Sequence, residues 1–250
     1  MVQNHGGIRV QLCGSFAVEL PDRPAGADFR SRQARVLFAY LVLNRPGPIP
    51  RDLLVDALWG GTPPAAAASA LNVLLSKLRG VVGPDLLRGR TEISLVLPEP
   101  ADVDVERALI ALHTAESAVL SQNWTRAWFA ALSAQFVTRR TLLPEASADW
   151  IEGWRRRLFE VRLRSMESYV AACLGIGGAE LPAAERTARD VVELAPLRET
   201  GHLLLMRSLA AHGNVAEALV AYDRLRVLLR EELGAVPGAT IQEYHRELLR

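Results

Sequence analysis

The spacing of hydrophobic residues divides the sequence into a first part that mixes short strands with helices and a second part that is helical throughout. Residues 8–12 and 16–20 alternate apolar and polar side chains around Gly14, which predicts a β-hairpin. Three segments with helical periodicity follow, each ended by Gly or Pro: residues 31–44, 51–59 and 64–82. Residues 86–88 and 93–97 flank a turn and predict a second hairpin. The predicted order is strands, three helices, hairpin.

A proline-containing segment separates the two parts. Pro98 and Pro100 cannot join a helix or a central strand, and helical periodicity dominates after them. We therefore predict a domain boundary at this segment, with one domain over residues 1–98 and a second over residues 99–250.

The second domain contains an internal repeat. Ala184 and Ala188 have the spacing of the second helix of a tetratricopeptide repeat, and a shift of about 34 residues places them on Ala218 and Tyr222. Gly213 falls in the turn before the second copy. Because one repeat cannot bury its apolar face alone, we expect other helices to stack on it, over residues 124–137 and 148–174.

The end of the chain carries a predicted helix start. Thr240 and Glu243 have the spacing of a capping box, which predicts a last helix over residues 241–249. The predicted fold is mainly α with small β elements: an N-terminal winged helix-turn-helix followed by an all-α, tetratricopeptide-like domain.

The helix over residues 64–82 has two different faces. Its apolar stripe consists of Ala67, Leu71, Leu74, Leu75, Leu78 and Val82. Small or polar residues gather on the opposite side, with two cations at its edge: Ser69, Asn72, Val73, Ser76 and Gly80, flanked by Lys77 and Arg79. Such a face can approach base edges in a major groove while the cations meet phosphates. The alternative is an ordinary amphipathic surface helix.

Charge and composition narrow the function classes. The net charge is +1, and the first 100 residues carry 11 basic against 8 acidic residues, so a nucleic-acid site must depend on local placement. The polar segment 1–7 lacks a signal peptide and no apolar run is long enough to span a membrane, so we expect a cytoplasmic protein. Cys13 and Cys173 are expected to be free thiols.

No pattern of catalytic or cofactor-binding residues is present. The five histidines are scattered, and the sequence contains no metal-ligand spacing, no phosphate-binding Gly-Lys-Ser/Thr loop and no Gly-x-Ser-x-Gly nucleophile motif. We expect a protein that is not an enzyme and that uses no metal or cofactor.

Two segments resemble a known family of regulators. Pro64–Arg79, with the preceding segment Asp56–Gly60, resembles the recognition helix and upstream turn of SARP-type activators, whose winged helix is of the OmpR type. Ala216–Arg226 and Glu231–Pro237 resemble their bacterial transcriptional activator domain. The resemblance covers nearly the whole chain. It implies binding to double-stranded promoter DNA, usually as a homodimer on direct repeats, and recruitment of RNA polymerase.

The resemblance also assigns roles to particular residues. It implies base or groove contacts at Ser69, Asn72, Val73, Ser76 and Lys77, a phosphate contact at Arg79, and a wing over residues 88–94 with contacts at Arg88 and Arg90. The sequence departs from the family pattern at Leu74, where a polar residue, often His, is usual. It also lacks the Gly-Tyr pair that is common in the wing, around residues 92–93.

These observations lead to one hypothesis and one alternative. The hypothesis is a sequence-specific DNA-binding transcription activator whose helical domain serves dimerisation and RNA polymerase contact. The alternative is a protein-interaction scaffold whose winged helix has lost DNA readout.

Overall fold

The computed structural model describes residues 7–20, 29, 31–45 and 47–250, and the chain divides into two compact units. The first unit comprises the residues up to Arg107 together with Arg140–Leu158, and the second comprises Ala108–Arg139 and Phe159–Arg250. The N-terminal segment 1–6, on which the expected absence of a signal peptide rests, lies outside the described residues. Within the part of the chain that the structure describes, no helix is long and apolar enough to cross a membrane.

The first unit contains short strands in two small sheets and three helices. The strands are β1 (Ile8–Gln11), β2 (Ala17–Glu19), β3 (Ile49–Pro50), β4 (Leu87–Arg88), β5 (Glu92–Leu95) and β6 (Ala101–Val103). The helices are α1 (Arg32–Leu43), α2 (Arg51–Trp59) and α3 (Ala67–Val82). One sheet has the order β2-β1-β6 and the other β3-β5-β4. The two predicted hairpins, β1 with β2 and β4 with β5, are both antiparallel pairs, which confirms them.

Two strands were not predicted from the sequence. β3 pairs antiparallel with β5, and β6 pairs parallel with β1, directly after the proline segment taken as a domain boundary. Both strands are too short to show a period of two, so only their partners define them.

A distant segment completes the first unit. The N–H of Gly14 donates to the carbonyl of Thr141 at 2.8 Å, and the N–H of Leu143 donates to the carbonyl of Leu12 at 3.0 Å. The indole Nε1 of Trp150 donates to the carbonyl of Ala57 at 3.0 Å. The first unit is therefore built from two separate pieces of sequence, whereas the predicted boundary near Pro98 divides the chain only once.

A buried carboxylate, that of Asp104, connects the end of β1 to the helix that begins at Asp104. Asp104 is 2% exposed and accepts hydrogen bonds from the N–H groups of Leu12 at 3.0 Å, Cys13 at 2.9 Å and Val105 at 2.8 Å. Burial raises the pKa of the Asp104 carboxyl, while these donors and Arg107 oppose the rise. Burial likewise raises the pKa of the Cys13 thiol to about 12. Cys13 and Cys173 are free and buried, as expected.

The second unit is helical, and two of its helices begin within the first. Its helices and one 3-10 turn are α4 (Asp104–Leu120), α5 (Trp124–Thr138), α6 (Asp149–Ile176), the turn Gly178–Glu180, α7 (Leu181–Leu194), α8 (Glu199–Ala211), α9 (Val215–Leu233) and α10 (Ala239–Leu248). The helices predicted over 124–137 and 148–174 are therefore confirmed, with small changes at their ends. The observed architecture confirms the predicted fold class.

The repeat positions lie in the core of the second unit. Ala184, Ala188 and Ala218 are fully buried and Tyr222 is nearly so, all in one cluster formed mainly by α6 to α10. Gly213 has a φ of +82° in the turn between α8 and α9, as predicted. The small residues let neighbouring helices approach closely, which is the packing that a tetratricopeptide-like repeat requires.

The predicted capping box is wrong. Helix α10 begins at Ala239, so Thr240 lies inside it, and the N-cap residue is Gly238 without a side-chain cap. The N–H of Gly238 donates instead to Glu199 Oε2 at 2.6 Å. A carboxylate from another helix thus takes the place of the local cap.

We expect Asp104→Ala to lower the free energy of unfolding by about 3 kcal/mol, because it removes the acceptor of two N–H groups just after β1 and of one at the start of the helix that begins at Asp104. Urea unfolding followed by circular dichroism measures the change. Asp102→Ala is the matched control, since its side chain is 39% exposed and its ion pair with Arg107 is at the surface, so the loss should stay within about 1 kcal/mol. Equal losses in the two variants would contradict the role of Asp104.

The second unit should lose stability in mild acid through His202. This residue is 5% exposed, and its Nε2 donates to the carbonyl of Pro196 at 2.9 Å. Burial lowers the pKa of His202 below its ordinary value of 6.5. The folded state therefore binds fewer protons than the unfolded chain, and the free energy of unfolding falls as the pH drops through about 6.5.

Between pH 7.5 and pH 5.5 we expect His202 to account for a fall of about 1 kcal/mol in the free energy of unfolding. This fall in the free energy of unfolding should be absent in His202→Gln and retained in His113→Gln. His113 is the control because it is exposed. A wild-type chain that loses no more stability than His202→Gln over this range would rule out the effect.

Candidate nucleic-acid interface

Helix α3 packs through one face and leaves the other exposed. All six residues of the predicted apolar stripe are buried: Ala67, Leu71, Leu74, Leu75, Leu78 and Val82. Leu74, which replaces the polar residue usual in the family, is 6% exposed. Its side chain therefore belongs to the packed face of α3.

The exposed face of α3 carries the predicted groove contacts. Its exposed residues are Ala68, Ser69, Asn72, Val73, Ser76, Lys77 and Gly80. Val73 is 53% exposed, although a valine usually lies in a core. Their side chains are short except for that of Lys77. The backbone of this side of the helix is therefore accessible to a partner whose groove is wide enough to admit a helix. We call this set the α3 face.

The second hairpin, β4 with β5, lies next to α3 along the chain and carries the other two predicted contacts. Arg88 and Arg90 are both exposed. The Nε of Arg88 donates to the carbonyl of Asp85 at 2.8 Å, which anchors that side chain at the base of the hairpin. Gly89 has a φ of +89°, and a Cβ there would lie 1.9 Å from the carbonyl oxygen of Glu92, so the turn requires glycine.

Arg79 connects α3 to this hairpin. Its Nε donates to the carbonyl of Leu87 at 3.3 Å, and its Nη2 donates to the carbonyl of Gly89 at 2.5 Å. The guanidinium of Arg79 therefore satisfies backbone acceptors of the wing. Its role as a phosphate contact stays a prediction. The observed hydrogen bonds show that Arg79 also holds the hairpin against α3.

Arg51 is a residue of this region that the sequence analysis missed. It is the first residue of α2, and its Nη1 donates to the carbonyl of Arg90 at 2.9 Å. Its Nη2 donates to the side-chain oxygen of Asn72 on the α3 face. A lone arginine at the start of a helix carries no periodic signal, so only the tertiary structure shows its place.

The charge of α3 and the hairpin is positive. Between residues 67 and 95, Lys77, Arg79, Arg88 and Arg90 stand against Asp85 and Glu92. A surface with this balance attracts a polyanion without the strong field of a polybasic tail. Among the described residues, no three His, Cys, Asp or Glu side chains are grouped so that they could hold a metal ion.

An exposed helix face of short side chains next to a basic β-hairpin is the arrangement of a winged helix-turn-helix, and a tetratricopeptide-like domain follows it, which is the architecture of a transcriptional regulator. Comparison with known proteins agrees with this class. The profile of the bacterial transcriptional activator domain matches residues 103–249. The chain belongs to this family. The match agrees with the resemblance to SARP-type transcriptional activators.

Two relatives illustrate the family. The regulatory protein AfsR of Streptomyces griseus is 30% identical over 230 residues, which are 88% of this chain and 22% of AfsR. The transcriptional regulator RedD of Streptomyces coelicolor is 30% identical over 260 residues, which are 98% of this chain and 72% of RedD. The chain therefore spans only about a fifth of the length of AfsR. The family and these relatives are transcriptional regulators and not enzymes.

A solved structure supports the fold. The Mycobacterium tuberculosis protein EmbR, in complex with a low-affinity phosphopeptide, superposes with a TM-score of 0.85 at 23% identity. The superposition covers 97% of this chain and 65% of the EmbR chain. At this identity the likeness concerns the fold alone.

We expect Arg79→Ala to loosen the second hairpin. The variant removes two hydrogen bonds to the carbonyls of Leu87 and Gly89, which are worth about 1 kcal/mol together. Hydrogen–deuterium exchange of the amides at 87–95 should become about fivefold faster than in the parent chain. Arg90→Ala is the control, because it keeps the backbone carbonyl that Arg51 uses. Unchanged exchange in Arg79→Ala would show that the hairpin does not depend on this side chain.

Proposed function

We propose that this transcriptional activator binds double-stranded promoter DNA through the α3 face. The helix enters the major groove, and the β4–β5 hairpin acts as the wing beside it. The observation that carries the proposal is the division of α3 into a buried apolar stripe and an exposed face of short side chains. A helix with bulky exposed side chains would be held away from the base edges, which short side chains allow it to approach.

The predicted contacts divide by chemistry. Ser69, Asn72 and Ser76 carry hydrogen-bonding groups that address base edges, and Val73 offers an apolar contact for a thymine methyl group. Lys77, Arg88 and Arg90 carry charges that address phosphates and fix the orientation of the helix on the duplex. Arg79 is a further candidate phosphate contact through the guanidinium donors that the wing carbonyls leave available.

The second unit supplies protein contacts in this proposal. The family implies homodimer formation on direct repeats and contact with RNA polymerase, and exposed apolar side chains on α5 support a protein-binding surface. Phe129 and Phe136 are 62% and 68% exposed and stand seven residues apart, which places them on one side of the helix. Large aromatic side chains contribute strongly to protein interfaces.

DNA binding is tested by selecting bound sequences from a random duplex library with the full chain and measuring the affinity for the selected site at several salt concentrations. Affinity should fall as salt rises, because neutralised phosphates release counterions. Lys77→Ala should weaken all sequences alike and reduce the salt slope by about one, whereas Lys77→Arg should keep the slope. Asn72→Ala should instead relax base preference at one position, at a cost of about 1 to 3 kcal/mol.

The alternative of a protein-interaction scaffold gives a different outcome. If the parent chain enriches no sequence and its affinity for duplex DNA does not depend on salt, the α3 face does not read DNA. The exposed residues would then be the surface of an ordinary amphipathic helix, and the second unit would carry the function.

A further inference from the structure

Arg51 lies where the wing and the recognition helix meet. β3 pairs with β5 so that Pro50 is opposite Glu92, which brings the first residue of α2 beside the wing. From there the guanidinium of Arg51 donates to the carbonyl of Arg90, at 2.9 Å, and to the side-chain oxygen of Asn72. One side chain therefore contacts both parts of the surface proposed to bind DNA.

This contact decides how the amide of Asn72 is oriented. A guanidinium carries only donors, so the Asn72 atom that faces Arg51 is the oxygen. The remaining group of the amide is Nδ2, which carries two donors and no acceptor. With its oxygen turned toward Arg51 and one of its two lone pairs occupied, Asn72 has the two N–H donors as its main free hydrogen-bonding groups.

The orientation changes which base suits Asn72. The usual pairing of asparagine with adenine needs a donor and an acceptor on the amide, because adenine presents N7 as an acceptor and N6 as a donor. Guanine presents two acceptors, N7 and O6, in the major groove. An amide whose donors are free and whose oxygen is turned toward Arg51 is therefore better matched to guanine than to adenine.

We propose that Arg51 is a specificity-determining positioning residue, which holds the oxygen of Asn72 and thereby turns its readout from adenine to guanine. This inference rests on the proposed function, because it assumes that α3 enters the major groove. Arg51 acts through Asn72 and through the wing, and it need not touch the DNA. The contact with the Arg90 carbonyl keeps the guanidinium in place while Asn72 is exposed.

The test compares sequences selected from a random duplex library by the parent chain, Arg51→Met, Asn72→Ala and the double variant. Methionine has a similar length and no donors, so it releases Asn72 without opening a large gap. At one position of the site, the parent should prefer guanine over adenine by at least about fivefold. Arg51→Met should lose that preference or reverse it toward adenine. In the Asn72→Ala background, Arg51→Met should cause no further change at this position.

The outcomes separate the possible errors. If the parent chain enriches no sequence, the proposed function is overturned and this inference with it. If the parent enriches a site and Arg51→Met selects the same bases, only the role of Arg51 is overturned. A salt slope that falls by about one with an unchanged base preference would make Arg51 a phosphate contact. If Arg51→Met still changes the base preference at this position in the Asn72→Ala background, Arg51 does not act through Asn72.

Arg90→Ala is the matched control, since it removes a nearby exposed arginine side chain and keeps the carbonyl that anchors Arg51. Because Arg90 is a proposed phosphate contact, this variant should weaken binding to all sequences alike, while the base preference of the parent is kept. Thermal unfolding of each variant, followed by circular dichroism, verifies that the chains are folded before the selections are compared.

Discussion

The burial of one face of α3 is the constraint on which the candidate interface depends. Leu71, Leu75 and Leu78 are at most 1% exposed, so the helix cannot rotate about its axis without exposing them to water. Burying a leucine side chain is worth about 2 kcal/mol, and several such residues fix the rotation firmly. The residues of the α3 face are exposed because their neighbours are buried. Their identity is free to vary for function, since packing makes no demand on them.

The wing depends on a second kind of interaction, the donation of arginine side chains to backbone carbonyls. A two-stranded hairpin of two and four residues is marginal by itself, and only Leu87, Ile93 and Leu95 anchor it in the core. Arg79 contacts the carbonyls of Leu87 and Gly89, and Arg51 contacts that of Arg90, so both sides of the turn are tied to helices. β3 adds a third strand on the other edge. The position of the wing relative to α3 therefore follows both from its own buried side chains and from arginines outside the hairpin.

The helices were predictable from the sequence because their signals are local and repeated. The periodicity of α3 identified each of its buried residues, and the 34-residue repeat identified Ala184 and Ala218 as core positions. Non-local features were beyond the same reasoning. β6 is defined only by its pairing with β1, and the capping box failed because α10 begins before Thr240, where Glu199 from another helix accepts the N–H of Gly238. Arg51 was missed for the same reason, since its partners come from α3 and the wing.

The use of arginine for structure limits how the chain can hold DNA. Of the basic residues in and beside the proposed interface, Arg51, Arg79 and Arg88 already donate to acceptors of the protein, so only part of their guanidinium donors remains for phosphates. Each phosphate contact adds about 0.9 to the salt slope, so one copy gains only a modest electrostatic affinity. In the proposed complex, a second copy on an adjacent repeat raises the effective concentration and supplies the affinity that charge does not. Sequence choice then depends chiefly on the short polar residues of the α3 face and on what orients them.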